Sequence, residues 1–173
     1  DYFLNHKYYS HDFTLDTKTG ASKVHWRTQR ERDDFKITFV DTGLETLTAE
    51  RVIKLRTYLK RDPQFLLTYG DGVGNVNIKE VVKFHKTMHR QHKVIGTLTG
   101  VHPVTRWGMI KTDKNKIINH FQEKPQLNQH ANGGFMVLQT SIVKYFHAGE
   151  QVETALERIT KTRKIALYSH PGF

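Results

Sequence analysis

The stretch that most constrains the fold is Phe65 to Ile78, reading FLLTYGDGVGNVNI. Its short apolar run, Phe65-Leu66-Leu67, is the pattern of a strand buried on both faces. Gly70 and Gly72 then flank Asp71, which opens the backbone to turns denied to other residues and to the close approach of a ligand. Asn77, with Glu80 three residues on, reads as the cap and capping-box partner of a following helix. A strand that ends in an exposed acid and returns through a helix is how open α/β sheets present ligand-binding groups. Asp-Gly is also a common turn dipeptide, so these residues alone leave Asp71 between a hard oxygen ligand and a turn former.

The flanking patterns supply the rest of a sheet. Residues 1–9 read as the end of a helix, and DTKTG is a hairpin-like break between segments around Phe13–Asp16 and Val24–Trp26. Ile37–Val40 is expected as a strand running into the Asp41-Thr42-Gly43 turn, followed by an amphipathic helix with Val52, Leu55 and Leu59 on its apolar side. After the helix that starts at Ile78 come a strand at Val94–Thr99, two short strands RWGMI and KIINHF joined by the polar turn Thr112–Lys116, and a strand at Gly134–Leu138. A short helix at Ser141–Phe146 and a strand at Ile165–Tyr168 close the series. Helices alternate with strands through the middle, so the expected class is α/β with a mainly parallel sheet flanked by helices.

Charge and composition narrow the partners. The 173 residues carry 27 Lys and Arg against 17 Asp and Glu, a formal charge of +10, which favours anionic partners. No RNA-recognition or helix-turn-helix signature accompanies the scattered basic residues, so nucleic acid is not expected. The absence of cysteine excludes disulfides and thiolate metal sites. The apolar runs are too short to cross a bilayer and no signal-peptide pattern opens the chain, which makes a cytoplasmic protein the expectation. The chain begins at Asp1 inside a helix-like stretch and stops at Phe173 just after a Pro-Gly turn. It is therefore read as a single partial domain, residues 1–173, of a larger protein.

Four further constellations carry possible chemistry, each with a plainer alternative. In Asp41-Thr42-Gly43 with Thr46 and Arg51, hydroxyls and a guanidinium beside a helix start can bind phosphate or a base edge. The alternative is an ordinary β-α loop in which Thr48 caps the helix and Arg51 is solvated. In Glu123-Lys124-Pro125 the proline holds Lys124 extended, and the pair can serve a sugar hydroxyl and a phosphate or be a surface ion pair. Asn132-Gly133-Gly134 is a site for close backbone approach or a turn. His85 and His89, at i and i+4, have no third ligand and read as a partly buried helix face.

Taken together, VDTGLETLTAERV, FLLTYGDGV, VVKFHK, FQEKP and NGGFMVL, in this order and at these separations, resemble the glucose-1-phosphate cytidylyltransferases within the sugar-phosphate nucleotidylyltransferase family. The resemblance runs from Tyr2 to Phe173. It implies a Rossmann-like nucleotidyltransferase fold, incomplete at both ends: the N-terminal glycine-rich loop and the C-terminal portion of the family's domain are not in this chain. It implies transfer of a nucleotidyl group, CMP from CTP, to glucose 1-phosphate, giving CDP-glucose and pyrophosphate for polysaccharide synthesis, with Mg2+ as cofactor and a homo-oligomeric parent. A non-catalytic relative that only binds nucleotide or sugar phosphate is the alternative.

Matching positions imply that Asp71 is a magnesium ligand and that Asp71, Lys124 and Arg51 carry the transfer. Thr46, Arg51 and Gly70 match nucleotide contacts, and Trp107, Gly108, Glu123, Lys124, Asn132 and Gly133 match the sugar-phosphate pocket. The chain departs from the family pattern at TAER, where TGGR is usual, at Asn75 and Asn77, at TRWGM, and at His130-Ala131.

Overall fold

The computed structural model describes residues 2–25 and 36–172. These fall into two compact units, 1–40 and 41–173.

In the first unit a helix, α1 (Tyr2–Ser10), precedes a hairpin of β1 (Asp12–Leu15) and β2 (Ser22–His25), paired antiparallel with Phe13 opposite Val24. The DTKTG break makes the turn: the Asp16 carboxylate accepts the Lys18 and Thr19 backbone N–H groups at 2.9 and 3.2 Å, the usual reason for an acid at this position. Trp26, expected at the end of the second segment, lies outside the described residues.

Ile37–Val40, expected as a strand, forms no ladder among the described residues, and Phe39 is 64% exposed. A β-rich sequence becomes a strand only where a neighbour takes its N–H and C=O groups, and none of the described strands does so here.

The second unit is built on a four-stranded sheet of order β3-β7-β4-β8. Its strands are β3 (Gln64–Thr68), β4 (Gly96–Val101), β7 (Ala131–Gln139) and β8 (Ile165–Ser169). β3, β4 and β8 run in one direction, and β7 lies antiparallel between β3 and β4. The class is α/β, as expected. The sheet is mixed rather than mainly parallel: β7, inserted between β3 and β4, makes two of its three ladders antiparallel and leaves β4–β8 as the parallel one.

β4, flanked on both sides, is the strand buried on both faces, with Thr97 and Thr99 inaccessible to solvent. Among the described residues β3 pairs only with β7, and its Leu66 is 55% exposed. The apolar run Phe65–Leu67 therefore sits at an edge of this sheet. Composition does not distinguish a central strand from one whose second face and edge lack a neighbour.

One face is covered by α2 (Thr48–Lys54), a 3-10 helix (Thr140–Tyr145) and α5 (Val152–Thr160). α5 does this by burying Val152, Ala155, Leu156 and Ile159 at i, i+3, i+4 and i+7. They join Ala49, Val52, Met136, Leu138 and Ile142 in a single core, where each fully buried Val, Leu, Ile or Met side chain contributes about 1.5–3 kcal/mol.

The opposite face is covered by α4 (Ile78–His92) through Val81, His85 and the Phe84 ring, which meets Tyr168 edge-on at 5.5 Å. Asn77 caps α4 by accepting the Glu80 N–H, as its spacing to Glu80 implies. His85 is inaccessible: its Nδ1–H donates to Thr97 Oγ1 at 2.9 Å and its Nε2 accepts from the Gln139 amide at 2.8 Å. Burial first, and neighbouring His89 second, pull its pKa down to about 4. His89 donates to the Val94 carbonyl at 2.7 Å, so both rings pin the helix to the sheet rather than form half a metal site.

A short helix, α3 (Arg56–Leu59), follows α2, and β5 (Met109–Thr112) pairs with β6 (Ile118–Gln122) as a separate two-stranded hairpin. Among the described residues no helix is long and apolar enough to cross a membrane.

Candidate functional site

The loop after β3 is held from beneath. The Tyr69 hydroxyl donates to Glu153 in the first turn of α5, and burial together with that carboxylate pushes the phenol well above its ordinary pKa. The Tyr69 ring lies against Gly134, whose φ of 78° is a conformation only glycine adopts without strain; an added Cβ would meet the ring at 3.3 Å. The backbone N–H of Gly72 closes the turn on the Tyr69 carbonyl at 3.3 Å.

Above this anchor Asp71 is exposed, and no hydrogen bond or ion pair engages its carboxylate among the described residues. It opens onto a hollow of about 430 Å3 shared with Val76, Val101, Asn132, Gly133 and Phe135. The fold thus brings Asp71, from the end of β3, together with Asn132 and Gly133, from the start of β7, because β3 and β7 are ladder neighbours. Asn132 is also part of its own turn, accepting the Gly134 N–H at 3.1 Å. Gly70 has open space around it, with nothing within 4 Å of an added Cβ.

Thr46 and Arg51 form a second cluster, directed inward. Arg51 donates from Nη1 to Thr42 Oγ1 at 2.6 Å and from Nη2 to the Leu44 carbonyl at 3.0 Å. Lys54 Nζ reaches the Thr42 carbonyl at 2.8 Å and Thr46 Oγ1 at 3.0 Å, and Thr46 Oγ1 itself donates to the Thr42 carbonyl. Arg51 is therefore neither simply solvated nor wholly free, and it keeps three of its five N–H donors. Thr48 does not cap its own helix: its hydroxyl accepts the Val152 N–H at 2.9 Å, an orphan donor at the start of α5. The TAER departure is built into this region. Ala49 is inaccessible in the core, and Glu50 accepts the Gly149 N–H at 3.0 Å while pairing with Lys54 at 3.4 Å.

The remaining expected residues gather at the β5–β6 hairpin. An added Cβ on Gly108 would sit 2.7 Å from the Phe121 ring and 3.0 Å from Glu123 Oε2, which puts Gly108, Phe121 and Glu123 in contact. Trp107 is 76% exposed. Lys124 has φ 46°, left-handed rather than the extended conformation its following proline implies. The segment beyond it is zipped to the hairpin base, Thr105 N–H to the Pro125 carbonyl at 3.1 Å and Leu127 N–H to the Pro103 carbonyl at 2.9 Å. The reversal between β6 and this zipper falls on Lys124, at a backbone cost of about 1–2 kcal/mol. The hollow at Asp71 is lined by neither this group nor Thr46 and Arg51.

Sequence reasoning missed the Tyr69–Glu153 tie, and missed a polar rim at the ends of β4 and β8. There His170 bonds Asn75 at 2.8 Å, His130 bonds Ser169 at 2.9 Å, and the His102 and His130 rings lie 4.1 Å apart. The only signal for the rim was that Asn75 and His130 stand where the family pattern has other residues.

Among the described residues no group of three or more His, Asp or Glu side chains forms a cage for a metal ion. A single free carboxylate fits Mg2+ all the same, because that ion commonly takes one or two carboxylates and completes its shell with water and substrate phosphate oxygens.

A mixed sheet with an exposed acid at a strand exit, beside a glycine-lined hollow, is the kind of place where α/β sheets commonly hold small ligands. Residues 8–170 match the nucleotidyl transferase family, and the chain belongs to it. It is similar to the "Probable glucose-1-phosphate cytidylyltransferase" of Bacillus subtilis (strain 168), 34% identical over all of this chain and 65% of that protein. It is likewise similar to the glucose-1-phosphate cytidylyltransferase of Salmonella typhi, 31% identical over the same shares. The chain thus spans 65% of the length of these curated relatives. A Bacillus anthracis structure in complex with sucrose, assigned to the glucose-1-phosphate thymidylyltransferases, shares the fold with a TM-score of 0.54 and 14% identity, over 76% of this chain and 56% of that one.

Proposed function

We propose that the complete protein transfers a nucleotidyl group to a sugar phosphate: CMP from CTP to glucose 1-phosphate, releasing CDP-glucose and pyrophosphate in the cytoplasm. The observation that carries this reading is the uncommitted Asp71 carboxylate at the mouth of the hollow it shares with Asn132 and Gly133. The likeness to two glucose-1-phosphate cytidylyltransferases supports the choice of both substrates.

The chemistry asks little of the protein in proton transfer. The attacking group is a phosphate oxygen, already anionic near neutral pH, so the transfer needs no general base. What is required is in-line positioning and neutralisation of charge at the α-phosphorus. Asp71 would hold Mg2+, which when bound supplies charge neutralisation to the phosphates. Lys124, presented by its left-handed turn, and the unspent donors of Arg51 add positive charge on the phosphate side. Glu123, Asn132, Gly133, Trp107 and Gly108 serve the sugar, and Thr46 and Gly70 the nucleotide.

The test is to incubate the complete protein with glucose 1-phosphate, Mg2+ and each nucleoside triphosphate in turn, and to measure pyrophosphate and nucleotide sugar. CDP-glucose formed fastest from CTP is expected; product from another triphosphate alone overturns the choice of nucleotide. A binding-only relative is the second reading, favoured by the donors that Arg51 and Lys54 spend on their own loop. It predicts bound triphosphate with no pyrophosphate released in any of these incubations.

A further inference from the structure

The Asp71 loop is fastened to the far side of the sheet by one side-chain bond that plays no part in the proposed reaction. We propose that His170 is a positioning residue: through Asn75 it holds the wall of the hollow beside Asp71 in place relative to Asn132 and Gly133, and so governs how tightly the hollow takes a sugar phosphate. That role rests on the hollow being the substrate site.

The loop needs such a tie. The ladder between β3 and β7 ends at Thr68 opposite Phe135, so Asp71 and the residues after it run on beyond the sheet. Val73, at the tip, is 90% exposed and adds no packing. Two contacts then bring the chain back. Gly74 lies against the Phe135 ring, which an added Cβ would meet at 3.2 Å. One residue on, His170 Nε2–H donates to Asn75 Oδ1 at 2.8 Å, joining positions 95 residues apart. Gly74 and Val76, the two neighbours of Asn75, both line the hollow, so a shift of Asn75 moves its wall.

His170 is itself fixed. It is buried, and its backbone N–H donates to the Gly100 carbonyl at 2.8 Å. Gly100 is also the ladder partner of Asn132. One position on β4 thus receives His170 from β8 on one side and Asn132 from β7 on the other. Asn75, His170, Gly100 and Asn132 form a continuous run from the wall beside Asp71 to the opposite wall. A site assembled from two segments binds well only when their separation is set in advance. Gly172 lies over the same bond: an added Cβ would fall 2.7 Å from Asn75 Oδ1 and 2.9 Å from His170 Nε2. A side chain there pushes the Asn75 amide aside without touching His170.

The experiment uses the complete protein and three variants. His170→Ala removes the donor, Gly172→Ala displaces the acceptor, and His170→Gln supplies an amide N–H in place of the imidazole one. In the ligand-free protein both alanine variants are expected to move the Val76 methyl resonances, with His170→Gln closer to the wild type. In pyrophosphate release, KM for glucose 1-phosphate is expected to rise about three- to tenfold in each alanine variant, with kcat held within about twofold and His170→Gln restoring most of the loss. If the protein only binds, the dissociation constant for glucose 1-phosphate takes the place of KM. The double alanine variant is expected to be no worse than either single one, because both break one bond. Val76 methyls unmoved in both alanine variants would overturn the tie. Moved methyls with an unchanged KM, or a loss confined to kcat and melting temperature, would make the bond structural only and overturn the positioning role. A wild type that neither turns over nor binds glucose 1-phosphate would overturn the reading of the hollow instead, and with it the role of His170 there, while the methyl resonances still decide the tie.

Discussion

The loops Asp41–Thr46 and Tyr69–Gly74 both set an aspartate beside glycine, yet they spend their polar groups in opposite ways. In the first, the Asp41 carboxylate accepts the Gly43 N–H at 2.8 Å, the Thr42 hydroxyl is held by Arg51, and the Thr42 carbonyl by Lys54. In the second, the Gly72 N–H bonds back to Tyr69 and the Asp71 carboxylate is left uncommitted among the described residues. A carboxylate consumed by its own turn builds backbone; one left free is available to something outside the chain. The first loop is therefore expected to matter for stability and the second for activity.

The sharpest break of that contrast is Asp71→Asn in the complete protein. With no internal partner to lose, the variant is expected to keep its melting temperature while pyrophosphate release falls on the order of 100-fold or more. Retention of most of the activity, measured at saturating Mg2+, would remove Asp71 from the metal role. A fall in melting temperature would instead show that the open loop is structural after all.

The support beneath the open loop is next in size and reads out in pH. α4, whose cap Asn77 comes just after that loop, is pinned by neutral His85 with a pKa near 4, against about 6.5 when unfolded. The folded state thus binds fewer protons than the unfolded chain between those values. Stability is therefore expected to fall as pH drops from about 7 toward 4, by up to about 3 kcal/mol, and to level off below. Urea midpoints at pH 7, 5 and 4 check this. His85→Gln is expected to lower stability at pH 7 and to flatten the slope; an unchanged slope would assign the acid loss to other groups.

The held loop supplies the complementary test. Arg51→Ala removes two charge-assisted hydrogen bonds and strands the Thr42 hydroxyl, only 9% exposed, at a cost of about 1–3 kcal/mol. The expected signature is a lower denaturation midpoint together with weaker triphosphate binding, whereas Asp71→Asn changes activity alone. Stability equal to the wild type would mean that the Arg51 contacts are not what holds the loop.

How far the sequence reveals such differences depends on the range of the interaction. The α4 cap and both hairpins were legible because each is written within a few residues: Asn77 to Glu80, DTKTG, and the polar turn between β5 and β6. The strand expected at Ile37–Val40 was not, since a strand is defined by a partner elsewhere in the chain. The edge position of β3 was hidden for the same reason. At the candidate site, Asp71, Asn132 and Gly133 were each legible as glycine-flanked turn residues, but their meeting depends on β3 and β7 being neighbours. The inward use of Arg51, nine residues from Thr42, left no local trace, and neither did the Tyr69–Glu153 tie. Lys124 misled in the other direction: the local rule for a residue before proline was overridden by the zipper at Pro103–Leu127.

The smallest expected effect is the most discriminating for the held loop. Glu50, where the family pattern has glycine, is depressed below the ordinary carboxylate range, first by the Gly149 N–H and then by Lys54. A carboxylate with a lowered folded pKa contributes stability above its unfolded value, and that contribution disappears as pH falls through the lower folded value. Glu50→Gln keeps an acceptor for Gly149 but releases Lys54, whose other bonds go to Thr42 and Thr46. A slight fall in melting temperature at pH 7 is expected, shrinking toward zero in acid, with pyrophosphate release unchanged. If the loss instead equals that of Arg51→Ala and persists at low pH, the loop is held through Glu50 and the segment before α5 rather than through its own cations. If release rises, the family's glycine was there to keep negative charge away from the phosphates, and the two loops share one ligand.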